Sequence, residues 1–280
     1  IYSCVIAGLL AWRDGYFSWL PWGIVTLGLF AAHGTNNLLN DLTDFSREVD
    51  QGYYFRIAYG VHPLVQGFWS RREQIRWFIV SGLLALAAGG YSLFYTGFSP
   101  VIIGWIVFGA VILVFYTWPL KYYGVGELLI FLIWGPVMIT GVYLVLSQGW
   151  ESTAWPVALA GVPFGLSVAS INIGKHIDKL EDDVERGVGT MPVRLGEKAA
   201  RYINISVLVL IYAVILYLVF LPRYFTPALL LVLLASVFQG TFGLGMKYVK
   251  PLAWEAWWLV HATVAMVIFP LVWVGLLAGF

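Results

Sequence analysis

Long apolar runs broken by short polar intervals dominate the chain, and the runs are of membrane-spanning length. A spanning helix takes about 20 apolar residues. On that measure the pattern predicts nine spans, near 1–12, 18–40, 75–95, 100–118, 127–147, 154–175, 202–221, 225–246 and 254–278. The first run is short and the sequence begins at Ile1, so the start of that helix is expected to be missing. The second run changes character towards its end. His33, Asn37 and Asp41 recur at every fourth position, as do Asn40 and Asp44, which sets a polar stripe along one helical face. A second polar run, Lys175 to Asp183, closes the sixth span, with Asp178 and Asp182 four apart and Asp183 turned roughly 100° away. Between the spans, Ser70-Arg71-Arg72-Glu73 has the form of a helix-capping box, and Gly135-Pro136 predicts a kink inside the fifth span.

Composition sharpens this picture. Hydrophobic residues make up 60% of the 280 and charged residues 11%, so each cluster of charge has to be explained. Nine of the 15 Asp and Glu fall in the two polar stretches and their tails: Asp41, Asp44, Glu48, Asp50, Asp178, Glu181, Asp182, Asp183 and Glu185. Carboxylates gathered at helix ends are costly in a membrane and mark a site. Of the 16 Lys and Arg, all except Arg13 and Arg223 lie in the loops after the even-numbered spans. The positive-inside rule puts those loops, and with them both acidic stretches, on the cytoplasmic side together with the N-terminus. The expected architecture is therefore an all-α, polytopic single domain over 1–280, with nine transmembrane helices around a central cavity under a cytoplasmic loop cap. The net charge of +1 offers nothing to nucleic acid. The lone cysteine, Cys4, excludes an internal disulfide.

The chemistry of the two stretches is that of hard cations. Carboxylates facing one cavity repel each other until a cation lies between them. An oxygen-only donor set suits Mg²⁺, which is typically held by one or two carboxylates with substrate phosphates completing its sphere. Asp41 and Asp44 would hold one ion, and Asp178 and Asp182 a second. Arg56, Lys121, Lys175 and Lys179 lie at the same depth and suit a diphosphate. A phosphate-binding glycine loop with a trailing Lys-Ser or Lys-Thr is missing, which argues against a nucleoside triphosphatase. His and Cys are too few for a zinc site. A metal–diphosphate site opening into lipid points to a lipid diphosphate, whose allylic carbon leaves as a carbocation when diphosphate departs.

These residues carry a family resemblance. Asn40-Asp41-Leu42-Thr43-Asp44 with Asp50 resembles the first signature of the UbiA superfamily of intramembrane prenyltransferases. Asp178 to Asp182, followed by Gly187, Thr190 and Val193-Arg194-Leu195-Gly196, resembles the second. Tyr116-Thr117, Lys121, Gly124-Val125-Gly126-Glu127 and Gly135-Pro136 resemble the segment joining their fourth and fifth helices, closest to the menaquinone-branch members. The resemblance implies Mg²⁺-dependent transfer of a polyprenyl group from its diphosphate to an acceptor, often aromatic, such as a quinone precursor. It implies metal ligation by Asp41, Asp44, Asp178 and Asp182, and a cavity lined by Asn37 and Asn40. It implies diphosphate contacts from Lys121 and Lys175, and a place near the acceptor for Asp50, with Asp183 as a further candidate. Two departures bear on the acceptor. His62-Pro63 stands where many members have Arg-Pro, and Lys175-His176 with Asp178-Lys179 stands where menaquinone-branch members have Asn-Asn and Arg-Asp. A tetrapyrrole, a glycerol phosphate lipid, a sugar phosphate or another isoprenoid therefore stays open as acceptor. An intramembrane terpene cyclase would use the same metal site without one. A transporter would place its carboxylates near mid-bilayer, with repeat symmetry.

Overall fold

The computed structural model describes residues 1–49, 62–116, 119–149 and 154–220. Among them every regular element is helical. In chain order they are α1 (Tyr2–Arg13), α2 (Trp19–Ser46), α3 (Arg71–Tyr95), α4 (Pro100–Phe115), a 3₁₀ turn (Leu120–Tyr123), α5 (Gly126–Leu132), a π turn (Ile133–Val137), α6 (Met138–Leu146), α7 (Ala154–Asp178), α8 (Leu180–Glu185), α9 (Met191–Leu195) and α10 (Glu197–Phe220). Among the described residues, four stretches are long and apolar enough to cross a membrane: Arg71–Tyr95, Gly126–Leu146, Trp155–Asp178 and Glu197–Phe220. Seven of the predicted spans have helices in the expected places; those at 225–246 and 254–278 lie outside the described residues, as does most of the expected loop cap.

The local chemistry accounts for the boundaries. α3 opens with the predicted capping box. The Glu73 amide donates to Ser70 Oγ at 3.3 Å, and the Ser70 amide donates to the Glu73 carboxylate at 2.7 Å. α3 and α4 form a hairpin through Gly97 and Phe98, both at positive φ, and Pro100 starts α4, where its missing N–H costs nothing. α2 does not end at the membrane-like run but continues to Ser46, so the first acidic stretch is helical throughout. It is seated along α3. Gly28 meets Ala88, Thr35 Oγ1 lies 2.8 Å from Ser81 Oγ, and Gln74 Nε2 donates to the Leu38 carbonyl at 3.3 Å. The outer face of α3 leaves Ile79, Leu83, Leu84 and Leu86 exposed, as a lipid-facing helix does.

The predicted kink is a π turn. Gly135 leaves the helical region (φ −93°, ψ −107°) just before Pro136. This opening lets α5–α6 meet α7 backbone to backbone: a Cβ on Gly135 would sit 2.6 Å from the Gly161 carbonyl oxygen and 2.8 Å from Gly165 Cα. Small residues at a membrane helix crossing allow this close approach. Ser3 Oγ, fully buried on α1, donates to the Trp134 carbonyl beside the interrupted ladder at 2.7 Å. The main core, with Ile6, Leu10, Ile139, Tyr143, Val157, Phe164, Ile211 and Ile215, fills the half of the bundle remote from the acidic stretches. At that end Tyr143 OH donates to Asp14 at 2.9 Å, and Arg13 pairs with the same carboxylate at 2.8 Å.

Gly161→Leu is expected to force α5 and α7 apart, since overpacking costs about 1–3 kcal/mol. A thermal melt of the detergent-purified protein checks this. A melting temperature equal to that of the wild type would show that the crossing is not close-packed.

Candidate active site

The polar stripe of α2 ends in two buried aspartates, and each meets a different segment. Asp44 is 2% exposed; Lys121 Nζ lies 2.9 Å from its Oδ2 and Tyr122 OH 3.4 Å from Oδ1. Both partners ride on the 3₁₀ turn after Pro119, which is closed by Gly124 at φ 76°. Burial disfavours the charge on Lys121, but the Asp44 carboxylate and its hydrogen bond outweigh it and hold the ammonium above the ordinary lysine value. The Arg47 guanidinium stands 5.1 Å over the Tyr122 ring. Asp41 faces His62, whose Nε2 is 4.0 Å from Asp41 Oδ1. The Val65 amide lies 3.4 Å from His62 Nδ1. The His62-Pro63 departure thus places a buried imidazole beside the first acidic stretch.

The second acidic stretch is bent rather than a continuous helix. α7 ends at Asp178, Lys179 leaves the helix (φ −100°, ψ 19°), and Asp182 belongs to α8. The expected single face for Asp178 and Asp182 is therefore divided between two elements. Asp183 is fully buried. Its Oδ1 pairs with Lys179 Nζ at 2.9 Å and its Oδ2 accepts from Thr190 Oγ1 at 3.1 Å. Its carbonyl also accepts from the Val188 amide at 2.8 Å, so it organises the loop that leads to α9. Burial, with Lys121 and Lys175 nearby, pushes the Lys179 ammonium below the ordinary lysine value although Asp183 pulls the other way. Asp178, Asp182, Lys175 and Asn40 keep partial exposure, and Asn37 is open. Asp50 and Arg56 lie outside the described residues.

The two stretches share one end of the molecule, and the segment between spans four and five joins them. Tyr122 packs with Val49 and Val188. Arg186 donates to the Val49 carbonyl at 2.9 Å, and Arg194 donates to the Tyr122 carbonyl at 2.7 Å. Gly189 lies against the Tyr122 carbonyl, where a side chain would not fit. Deeper, His176 Nδ1 and Glu127 Oε1 meet at 2.5 Å across α7 and α5, both buried. Sequence reasoning passed over Tyr122, Arg186 and the Glu127–His176 pair.

Among the described residues no three His, Cys, Asp or Glu side chains converge on one point. The donor chemistry nevertheless fits Mg²⁺. All four predicted ligands are hard carboxylates, arranged as two separate groups, and Asp44 already balances a cation in the form of the Lys121 ammonium. Magnesium needs few protein carboxylates when phosphate oxygens and water supply the rest.

The chain belongs to a known class of helical membrane enzymes: residues 1–260 match the UbiA prenyltransferase family. The chain is 30% identical over 204 residues to 2-carboxy-1,4-naphthoquinone phytyltransferase of Synechocystis, covering 70% of this chain and 60% of that protein. It is 25% identical over 191 residues to UbiA prenyltransferase domain-containing protein 1 of Rattus norvegicus, covering 67% of this chain and 54% of that one. The matched region thus spans less than two thirds of each relative. The fold resembles that of digeranylgeranylglyceryl phosphate synthase (TM-score 0.65, 21% identity, 100% of this chain and 94% of that chain). It also resembles a UbiA homolog from Archaeoglobus fulgidus bound to GPP and Mg²⁺ (TM-score 0.56, 16% identity, 99% and 97%).

Removing one member of the Glu127–His176 pair is expected to destabilise the fold by about 1–3 kcal/mol, because the other is left buried without its hydrogen-bond partner. Glu127→Leu with His176→Leu should recover much of that loss. Denaturation of both single variants and the double variant measures it; additive losses would show that the two do not act as a pair.

Proposed function

We propose that this protein catalyses Mg²⁺-dependent transfer of a polyprenyl group from a prenyl diphosphate to an aromatic, quinone-precursor acceptor within the membrane, with release of diphosphate. The observation that carries the reading is the buried Lys121–Asp44 pair, which sets a basic turn beside the first acidic stretch while Tyr122 ties that turn to the second. The likeness to a naphthoquinone phytyltransferase supports the acceptor class, and the likeness to a homolog bound to GPP and Mg²⁺ supports the donor and the metal. One domain over 1–280 carries the activity, built on nine spans with a loop cap. The N-terminus and the site lie on the cytoplasmic side, where the positive-inside rule puts the basic loops.

In this reading Asp41, Asp44, Asp178 and Asp182 would hold two Mg²⁺ ions, with Asn37 and Asn40 lining the cavity. The metal supplies neutralisation of the charge that gathers on the leaving diphosphate. Lys121, Lys175, Lys179 and Arg56 add fixed positive charge around the same group. The allylic C–O bond breaks and its electron pair leaves with diphosphate. A ring carbon of the acceptor supplies the pair for the new C–C bond, and its proton is lost afterwards. Asp50 stands at the acceptor side of the site. Asp183 contributes by holding Lys179 and the Thr190 loop in place.

Asp41→Ala and Asp182→Ala are expected to abolish prenyl transfer while leaving the melting temperature near that of the wild type. A turnover assay with Mg²⁺, a series of prenyl diphosphates and a panel of acceptors, read by mass spectrometry, checks this. Full activity in either variant would reject the metal assignment, and diphosphate release without an adduct would move the reading to a cyclase. Lys121→Ala is expected to lower kcat/KM for the prenyl diphosphate by about 10²–10³-fold, the effect of removing one fixed donor to a developing charge. An equal rise in KM for the acceptor would reject its diphosphate role.

A further inference from the structure

Two kinds of contact hold the turn that carries Lys121. The first is made with an acid: Lys121 Nζ lies 2.9 Å from Asp44 Oδ2, and the neighbouring Tyr122 OH lies 3.4 Å from Oδ1 of the same carboxylate. The second is made with the main chain. Arg194, on α9, donates from Nη2 to the Tyr122 carbonyl at 2.7 Å. Arg194 is exposed, yet its side chain is seated against two glycines. A Cβ on Gly124 would stand 3.1 Å from its Cγ, and one on Gly189 would stand 2.9 Å from its Nε. Gly124 ends the turn at φ 76°, and Gly189 lies against the carbonyl that Arg194 holds. A ligand acts differently on the two contacts. In the transferase reading above, Lys121 meets the diphosphate and Asp44 meets Mg²⁺. The pair between them is then weakened, and with it the tie that fixes the turn in the free protein. The bond from Arg194 involves neither the ammonium nor the acid, so it can persist through that exchange.

We propose that Arg194 is a positioning residue: by holding the Tyr122 carbonyl it keeps Lys121 in place when the diphosphate draws the ammonium away from Asp44. This rests on the transferase reading, in which Lys121 contacts the diphosphate. Lys121 and Tyr122 are joined by a planar peptide unit, so a shift of one moves the other. An arginine suits the task because its guanidinium stays charged and donates in a fixed plane. The Tyr122 ring supports the same placement, packed with Val49 and Val188 and lying 5.1 Å under the Arg47 guanidinium. Arg194 thus links the loop of the second acidic stretch to the ammonium that serves the first.

The test is equilibrium binding of radiolabelled geranylgeranyl diphosphate, with Mg²⁺ present, to the full chain in lipid nanodiscs. Wild type, Arg194→Leu, Lys121→Ala and the double variant form a cycle. Arg194→Leu alone is expected to weaken binding about tenfold, near the lower end of what a charge-assisted hydrogen bond provides. In the Lys121→Ala background the same substitution is expected to change affinity by less than about twofold, because the turn then has no ammonium to place. Equal losses in both backgrounds would overturn the proposal, since Arg194 would then act on the ligand without Lys121. An affinity unchanged by Arg194→Leu, whatever its melting temperature, would overturn it too, because a merely structural contact behaves that way. Arg194→Lys, which keeps a charged donor, serves if the leucine variant does not fold, and its smaller loss is expected to vanish in the same background. Wild-type protein that fails to bind, or Lys121→Ala that binds as tightly as wild type, would instead reject the reading on which the proposal rests. Neither of those proteins carries a change at Arg194, so the two failures are told apart.

Discussion

The arrangement of this protein depends on one constraint: carboxylates at the end of an apolar helix bundle must be balanced by cations or hydrogen-bond donors. Asp44 is met by Lys121, Asp183 by Lys179, and Glu127 by His176. Such pairs are a poor source of stability, because desolvation offsets most of the attraction, but breaking one is expensive. Their effect is on geometry. Two of the three join different parts of the chain, and so they fix which helix ends sit together.

A second constraint acts at the opposite end and is steric. Gly135, Gly161 and Gly165 let the kinked fifth span press its backbone against α7. The π turn that makes this possible also turns Trp134 towards His33 on α2, and Ser3 secures it. Ion pairs tie segments together at the acidic end, and glycine contacts set the helix crossing at the other. The two are joined by α2, which runs the whole distance as a single helix.

Much of this was legible in the chain. The apolar runs of spanning length, the capping box at Ser70 and the kink at Gly135-Pro136 are local properties, because hydrogen bonding in a helix and the missing proline N–H act over a few residues. The carboxylate stretches stood out for a thermodynamic reason: charge in an apolar sequence is too costly to be incidental. The division of Asp178 and Asp182 between two helices was not legible, because neither proline nor glycine marks the break at Lys179. Tyr122 and Arg186 were missed for a similar reason. An aromatic or an arginine in a loop has many uses, and only the fold shows which carbonyl it meets.

By itself, then, the sequence determined the helical class, most of the helix positions and the chemical nature of the site, since hydrophobic length, helical period and the cost of buried charge are all written in neighbouring residues. Tertiary structure alone decided the pairing of Lys121 with Asp44 across 77 positions, of His176 with Glu127 across 49, and of Trp134 with His33. Those contacts depend on which helices lie side by side. That is a property of packing complementarity between distant segments, and no periodicity within a single segment records it.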